Sequence, residues 1–531
     1  MAAGRNGQLA WLVTGLGPME RGMGTVMGGA GSSAAALGAE VLRALRDFAA
    51  GAAGSAEVLA SALTALESGN GLRAVSPMWW GDFDQGVRWN GWWTVRSAET
   101  NDTLRGLLPT PWQWAVSVCA ADGRRRESAL LADSAPIGHP VLLPLLVVRC
   151  SDWAEPVRLR AEQRLAQTLA AASPADLAQA CAVAWACETR TRGAGAALLV
   201  NERLPEADPA VWRHLFALPD HRTRRRALAE ALRLHALPAE ELVGLALRDA
   251  DVNVARRAAE HVLLQTVPAV DQPVAASAQL VIDRLLTARA PQVRAAAVTV
   301  LRRTQRPDLA AAFLLDRSTL VRETARWVVR SHDQDPAALC RGLIARPGFV
   351  AGAGAVSGLV ECGDASDVPW LRLQLDSSQA KARAAAVSAL SALAPMDSEE
   401  LLTLLEQDPS PSVGRAATAA LVPHAHRIPP VRLRAWLSPG QRPNLRIQAA
   451  VLLRAADTWT RLETDLQLLA DPNPALARTA RADLRTWTTL SSPGSGHPTA
   501  EQSASVKALL ASAEDLLDTW TLRQLRFRIP T

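Results

Sequence analysis

The chain has no tyrosine, six phenylalanines and only two lysines, Lys381 and Lys507, among its 531 residues. Its aromatic content therefore rests on 17 tryptophans, and its basic content is almost all arginine. The simplest source of that bias is a GC-rich coding sequence, set against a selected demand for planar guanidinium donors. Six cysteines (Cys119, Cys150, Cys181, Cys187, Cys340 and Cys362) form no CxxC pair. That spacing excludes a dense disulfide frame and a zinc ribbon, and reads as reduced, mostly buried thiols. Long apolar runs are missing too. Val141–Val148 is interrupted by Pro144, and Leu9–Leu16 is soon followed by Glu20 and Arg21. Neither suits a membrane span or a signal peptide, so the expectation is a cytoplasmic protein with no membrane partner.

A net charge of +5 and a pI near 9.2 permit a nucleic-acid partner without requiring one. Hydrophobic residues make up 49% and charged residues 21%, the proportions of a folded globular chain.

What the chain has is an internal repeat. An aliphatic residue, often followed by Arg, precedes a small residue four positions on and an apolar residue four further. Clear copies are Val157-Arg158/Ala161/Leu165, Val293-Arg294/Ala297/Leu301, Val321-Arg322/Ala325/Val329 and Ala382-Arg383/Ala386/Leu390. Val413/Ala417/Leu421, Leu445-Arg446/Ala449/Leu453, Leu476/Ala480/Leu484 and Val254/Ala258/Val262 also fit. Weaker copies start at Arg125, Thr191, Arg224 and Ala351, and most steps between starts are 30–34 residues.

Apolar residues at i, i+4 and i+8 share one helical stripe, and the small central residue admits a neighbouring helix. Five residues before several starts stands an aspartate: Asp152, Asp249, Asp316, Asp408 and Asp471. Each reads as a turn that supplies a carboxylate to the free amides of the next helix. A second apolar segment lies upstream of each turn, as in 240–247, 308–315, 399–405 and 462–469. Each repeat is thus helix, tight turn, helix, and one such pair cannot bury its faces without neighbours.

This Asp-turn-Val-Arg-x-x-Ala-x-x-x-Leu pattern resembles HEAT repeats, especially the short HEAT-like class named after phycobilin lyases, over roughly residues 105 to 490. It is similar to HEAT-repeat proteins of actinobacteria. The resemblance implies an all-α fold, an α-solenoid of about 12 HEAT-like helical hairpins. It also implies that Arg158, Arg294, Arg322, Arg383 and Arg446 are structural, bonding between adjacent repeats.

The expected organisation is an N-terminal Gly/Trp-rich helical and irregular cap region over 1–104 and a repeat solenoid over 105–490. A flexible linker (491–499) and a C-terminal cap helix and tail (500–531) follow. Within the first region, Trp79, Trp80, Trp92 and Trp93 read either as a loop packing indoles over the end of the solenoid or as a ligand-facing aromatic patch.

No catalytic set can be nominated. The glycines at 22, 24, 28 and 29 lack a Lys-Ser/Thr partner. His424 and His426 have no acidic or Cys partner in reach. The paired His-Glu dipeptides of HEAT-type iron hydroxylases are missing from the sequence. The expectation is a non-enzyme without cofactor or metal, a scaffold binding a protein partner along its curved surface. Arg222, Arg224, Arg226, Arg256, Arg257, Arg302 and Arg303 are the candidate partner-binding cations. Three clusters, Arg124-Arg125-Arg126, Arg222 with Arg224-Arg225-Arg226, and Arg302-Arg303 with Arg306, would track phosphates if they shared one groove, which gives the alternative of a nucleic-acid-binding protein; on outer faces they would pair with local acids such as Glu127 and Glu230. A lyase or chaperone for a prosthetic group is the third reading.

Overall fold

The computed structural model describes residues 29–50, 52–68, 71–89, 107–268, 273–394, 396–490 and 497–529. Trp92, Trp93, most of the expected linker and most of the Gly-rich start lie outside them. The described residues are all helix, turn and loop, organised as an α-solenoid of HEAT-like hairpins in two compact units, Met1–Leu242 and Val243–Thr531. No described helix is long and apolar enough to cross a membrane.

In the second unit the helices Val252–Thr266, Pro291–Arg303 and Thr319–Arg330 pack side by side as one layer. So do Ala353–Val360, Ala380–Leu393, Pro411–Leu421 and Pro443–Ala456. We call these the following helices. Leading helices such as Ala276–Leu286, Ser398–Gln407 and Pro430–Trp436 pair with them across each turn. The repeat register explains the stacking. Val293, Ala297, Leu301, Val413, Ala417 and Leu421 are all fully buried, and the alanines leave room for the adjoining helix. Two of the four weak copies, at Thr191 and Arg224, show where sequence alone slips. Around Thr191 the buried residues are Ala196 and Val200, one position later, with Thr191 itself exposed. Around Arg224 the stripe is Thr223, Ala227 and Ala231, one position earlier, with Arg224 and Leu228 buried beside it. The Arg125 copy keeps its register, with Arg126 and Ala129 buried, although Arg125 itself is exposed.

The arginine after each start links repeats in two directions. In most of these arginines Nη1 donates backwards to carbonyls at the end of the leading helix; Arg446 uses Nε, to Leu437 (2.8 Å). Arg294 reaches Ala288 and Arg289 (2.7 and 3.0 Å), Arg383 reaches Ser377 (2.8 Å), and Arg126 reaches Ala120 and Ala121 (both 2.7 Å). A cation there meets the negative end of the helix dipole. The remaining nitrogens donate forwards to the aspartate of the next repeat. Arg294 holds Asp316 through two bonds (2.9 and 2.7 Å), Arg383 holds Asp408 (2.7 and 3.0 Å), and Arg446 holds Asp471. Each of these aspartates also accepts from the amide two residues on, as Asp316 does from Ser318 (2.7 Å) and Asp408 from Ser410 (2.8 Å). The carboxylate therefore closes the turn and stands before the helix cap rather than at it. Of the arginines expected to be structural, Arg158 is half-buried and bonds only within its own repeat, to the Asp152 carbonyl (3.0 Å).

In the first unit the described part of the tryptophan-dense stretch is a helix, Trp79–Trp89. Trp79 and Trp80 are buried, and Trp79 donates to the Gly38 carbonyl (2.9 Å). The Trp79 ring stacks near Phe83 (5.4 Å), which tilts onto Trp112 (5.8 Å). Beside them Asp84 and Asp152 share Arg88 and Arg149, and Asp152 also holds Arg126, all but Arg88 almost wholly buried. Burial is the largest influence on Asp84 and raises its carboxyl despite the Arg88 charge beside it.

At the far end the expected single cap helix is two, Ala500–Ser512 and Thr519–Arg528. Thr499 and Asp518 cap them, each accepting from an amide three residues on. Ala500–Ser512 packs on Thr458–Leu468, so Val506 and Leu510 cover the last repeat.

Candidate functional site: an interrupted repeat

One repeat breaks the pattern. Where the turn aspartate should stand is Arg346, and where Val-Arg should start the following helix is Ala351-Gly352. The connection between the leading helix Pro336–Ile344 and the following helix Ala353–Val360 consequently covers residues 345–352, with Gly348 turned at φ +76°. The helix itself is short, and it packs on the 3₁₀ turn Phe313–Leu315 as well as on Ala380–Leu393. Glycines permit that approach. A Cβ on Gly354 would lie 2.3 Å from the Leu315 carbonyl oxygen, and one on Gly358 would lie 2.2 Å from that of Leu314. Any larger residue at either position would push the helix off the turn.

In front of this helix is a cleft of about 350 Å³. Phe349 and Val350 form an apolar wall, with Val350 70% exposed. Arg317, from the turn before Thr319–Arg330, and Lys381, at the start of Ala380–Leu393, bring two cations, and Gln379 also lines the cleft. No acidic side chain lines it. Gly352, Gln379 and Ser318, the residues preceding three following helices, make no side-chain cap, so the helix starts keep partial positive charge toward this edge.

The arginine ladder is rerouted around the gap. Arg322 still donates back to the Asp316 carbonyl (2.8 Å), but its forward partner is Glu361, at the end of the short helix (2.9 Å from Nε). Arg326 joins the same carboxylate. Burial pushes the Glu361 carboxyl up, yet the hydrogen bonds and charges of Arg322 and Arg326 outweigh it and hold the group below its ordinary value. Arg341 adds a second tie, to Asp364 (2.9 Å) and Asp367 (2.8 Å).

The sequence-nominated cations lie elsewhere and do not converge on this cleft. Arg224 is buried, with Nη1 on the Leu218 and Pro219 carbonyls (2.9 and 2.8 Å). Arg226 pairs with Glu230 (3.0 Å) and Arg256 with Glu260 (2.7 Å). Arg222 and Arg257 are exposed and Arg303 is half-buried. Arg302 lies over the Trp327 ring of the adjacent following helix at 4.9 Å, with Trp327 46% exposed. Trp79 and Trp80 belong to the interior described above.

Sequence reasoning passed over Arg317, Phe349, Val350 and Lys381. The available signal was the lost Asp and Val-Arg between Asp316 and Ala382. Among the described residues no group of three His, Cys, Asp or Glu side chains could hold a metal ion.

No family model matches the sequence, and no curated relative was found. Among solved structures the chain is similar to Kap95p, from work on how Kap95p binding acts on the switch loops of RanGDP in nuclear import complex assembly. That likeness has 11% identity, covers 93% of this chain and 67% of the other, and has a TM-score of 0.29. It is also similar to a mutant of Kap121p, with 10% identity, 92% and 74% coverage, and a TM-score of 0.26.

Proposed function

We propose that this chain is a non-catalytic scaffold of short HEAT-like repeats, and that the cleft at the interrupted repeat anchors an acidic, apolar-tipped segment of a protein partner. The carrying observation is the lining: an exposed apolar wall of Phe349 and Val350 beside Arg317 and Lys381, with no carboxylate to repel an acidic ligand. An apolar side chain would bury against Phe349 and Val350 while flanking carboxylates meet the two cations. Arg302 stacked on Trp327, one repeat earlier, supplies the residue types that dominate interface energetics. The nucleic-acid reading gains no support from the placement of Arg224, Arg226 and Arg256, whose guanidiniums serve carbonyls or glutamates; Arg317 also gives one N–H to the Arg289 carbonyl (3.0 Å) but stays exposed at the cleft.

A displayed peptide library panned against the full chain tests this. The expected enrichment is for an apolar residue flanked by Asp or Glu, lost when Lys381→Glu and Arg317→Glu are combined. Enrichment of basic peptides, or equal recovery by the charge-reversed protein, would contradict the assignment. Tight binding of random duplex DNA with a steep loss in salt would move the function to nucleic acid.

A further inference from the structure

The interrupted repeat also brings together two of the six cysteines. Cys340 lies in the leading helix Pro336–Ile344, and Cys362 follows the short helix Ala353–Val360. Their sulfurs are 3.7 Å apart, Cys340 buried and Cys362 half-buried. The Cys362 thiol donates to the Gly358 carbonyl at 3.1 Å. Cys119, Cys150, Cys181 and Cys187 are all buried, and burial raises each of those thiols.

Cys362 differs. Hydrogen bonding from Cys340 holds its thiol below the ordinary value against its own burial and the Asp335 carboxylate, with Arg326 and Arg330 reinforcing the thiolate. The same hydrogen bond, and then burial, raise Cys340. A partly exposed thiol 3.7 Å from a buried second one is the arrangement of an attacking and a resolving cysteine.

We propose that Cys340 and Cys362 form an oxidisable dithiol that closes to a disulfide when the protein meets a hydroperoxide. The Cys362 thiolate attacks the distal peroxide oxygen. The O–O bond breaks, Cys362 becomes a sulfenic acid, and the leaving alkoxide or hydroxide takes up the proton that the Cys362 thiol gave up. The Cys340 sulfur then attacks the Cys362 sulfur. The S–O bond breaks and hydroxide leaves with the Cys340 proton as water. Two thiols and one hydroperoxide thus yield one disulfide, one alcohol (water from hydrogen peroxide) and one water. Closure draws the sulfurs from 3.7 Å to about 2.05 Å. The bond would tie the leading helix to the end of the following one around Phe349 and Val350. This inference stands on the cysteine geometry and not on the peptide-binding reading.

The test uses the full-length reduced protein, a stoichiometric dose of hydrogen peroxide, alkylation of remaining thiols and peptide mass mapping. The expected product has lost two hydrogens and yields a cross-linked peptide pair joining Cys340 to Cys362, with the other four cysteines alkylated only after denaturation. In Cys340→Ser, dimedone should trap a sulfenic acid at Cys362. In Cys362→Ser, Cys340 should stay reduced at the same dose. Should either variant fail to fold, competitive alkylation of the wild-type chain serves instead, with Cys362 expected to react about tenfold faster than Cys187. Full alkylation of both Cys340 and Cys362 after peroxide, or a disulfide between any other pair, would overturn the proposal. So would equal alkylation rates for Cys362 and Cys187.

Discussion

The repeat that joins Ala380–Leu393 to Pro411–Leu421 and the repeat at Ala353–Val360 use one stacking principle and reach different ends. In the first, Ala386 and Ala417 sit in the seam, Arg383 spans to Asp408, and the turn between leading and following helices is three residues long. Little is left for a ligand. In the second, Gly354 and Gly358 let the helix lie against backbone, the turn lengthens, and Glu361 takes over the carboxylate role from the far end of the helix. The contrast teaches that an array can give up one rung, provided another acid receives the buried arginine, and gain a cleft in return.

The largest effect should come from attacking the seam itself. Ala449→Asp places an unpaired carboxylate at a fully buried position, and a loss of about 4 kcal/mol or more is expected in denaturant melts. An unchanged midpoint would mean that the register is wrong.

Next is the rung. Asp408→Ala leaves Arg383 half-buried without its acid, and about 2–3 kcal/mol should be lost. Burial raises the Asp408 carboxyl, but the Arg383 hydrogen bonds, the Ser410 amide and nearby guanidinium charges outweigh it and hold the group below its ordinary 3.8. A carboxyl lowered on folding stabilises fully above the unfolded value, and that contribution disappears as pH falls through the folded one. Wild type should therefore lose more stability than Asp408→Ala between about pH 5 and pH 2; parallel acid titrations of the two would contradict the rung.

Glu361→Gln should cost less, about 1–2 kcal/mol, because an amide oxygen can still accept from Arg322 or Arg326. If it costs as much as Asp408→Ala, the substitute tie is as stiff as a regular rung. Smallest in stability is Val350→Ser, expected within about 0.5 kcal/mol because the residue is mostly exposed. Its affinity for the acidic, apolar-tipped peptide should nevertheless fall about tenfold by titration calorimetry. Unaltered affinity would remove the apolar wall from the site.

Much of the fold was readable because it repeats. Val293, Ala297 and Leu301 recur in kind at 321, 413 and 445, and each copy states the same face. Where alanine and arginine runs made neighbouring registers look alike, at 191 and 224, the phase slipped by one. Arg224, Arg225 and Arg226 look like one basic cluster in the chain, yet successive helical residues point about 100° apart. One is buried on carbonyls, one faces outward and one pairs with Glu230. The candidate site was less visible. Its residues stand at 317, 349–350 and 379–381, each unremarkable alone, and only the missing Asp-Val-Arg signature marked the place.

Local periodicity settled helix, turn and stacking face, because the apolar stripe and the small central residue act within a few turns of chain. Partner choice was settled only in three dimensions. Which acid an arginine meets depends on the neighbouring repeat, and whether two sulfurs come within 3.7 Å depends on how closely a glycine-faced helix lies on its turn.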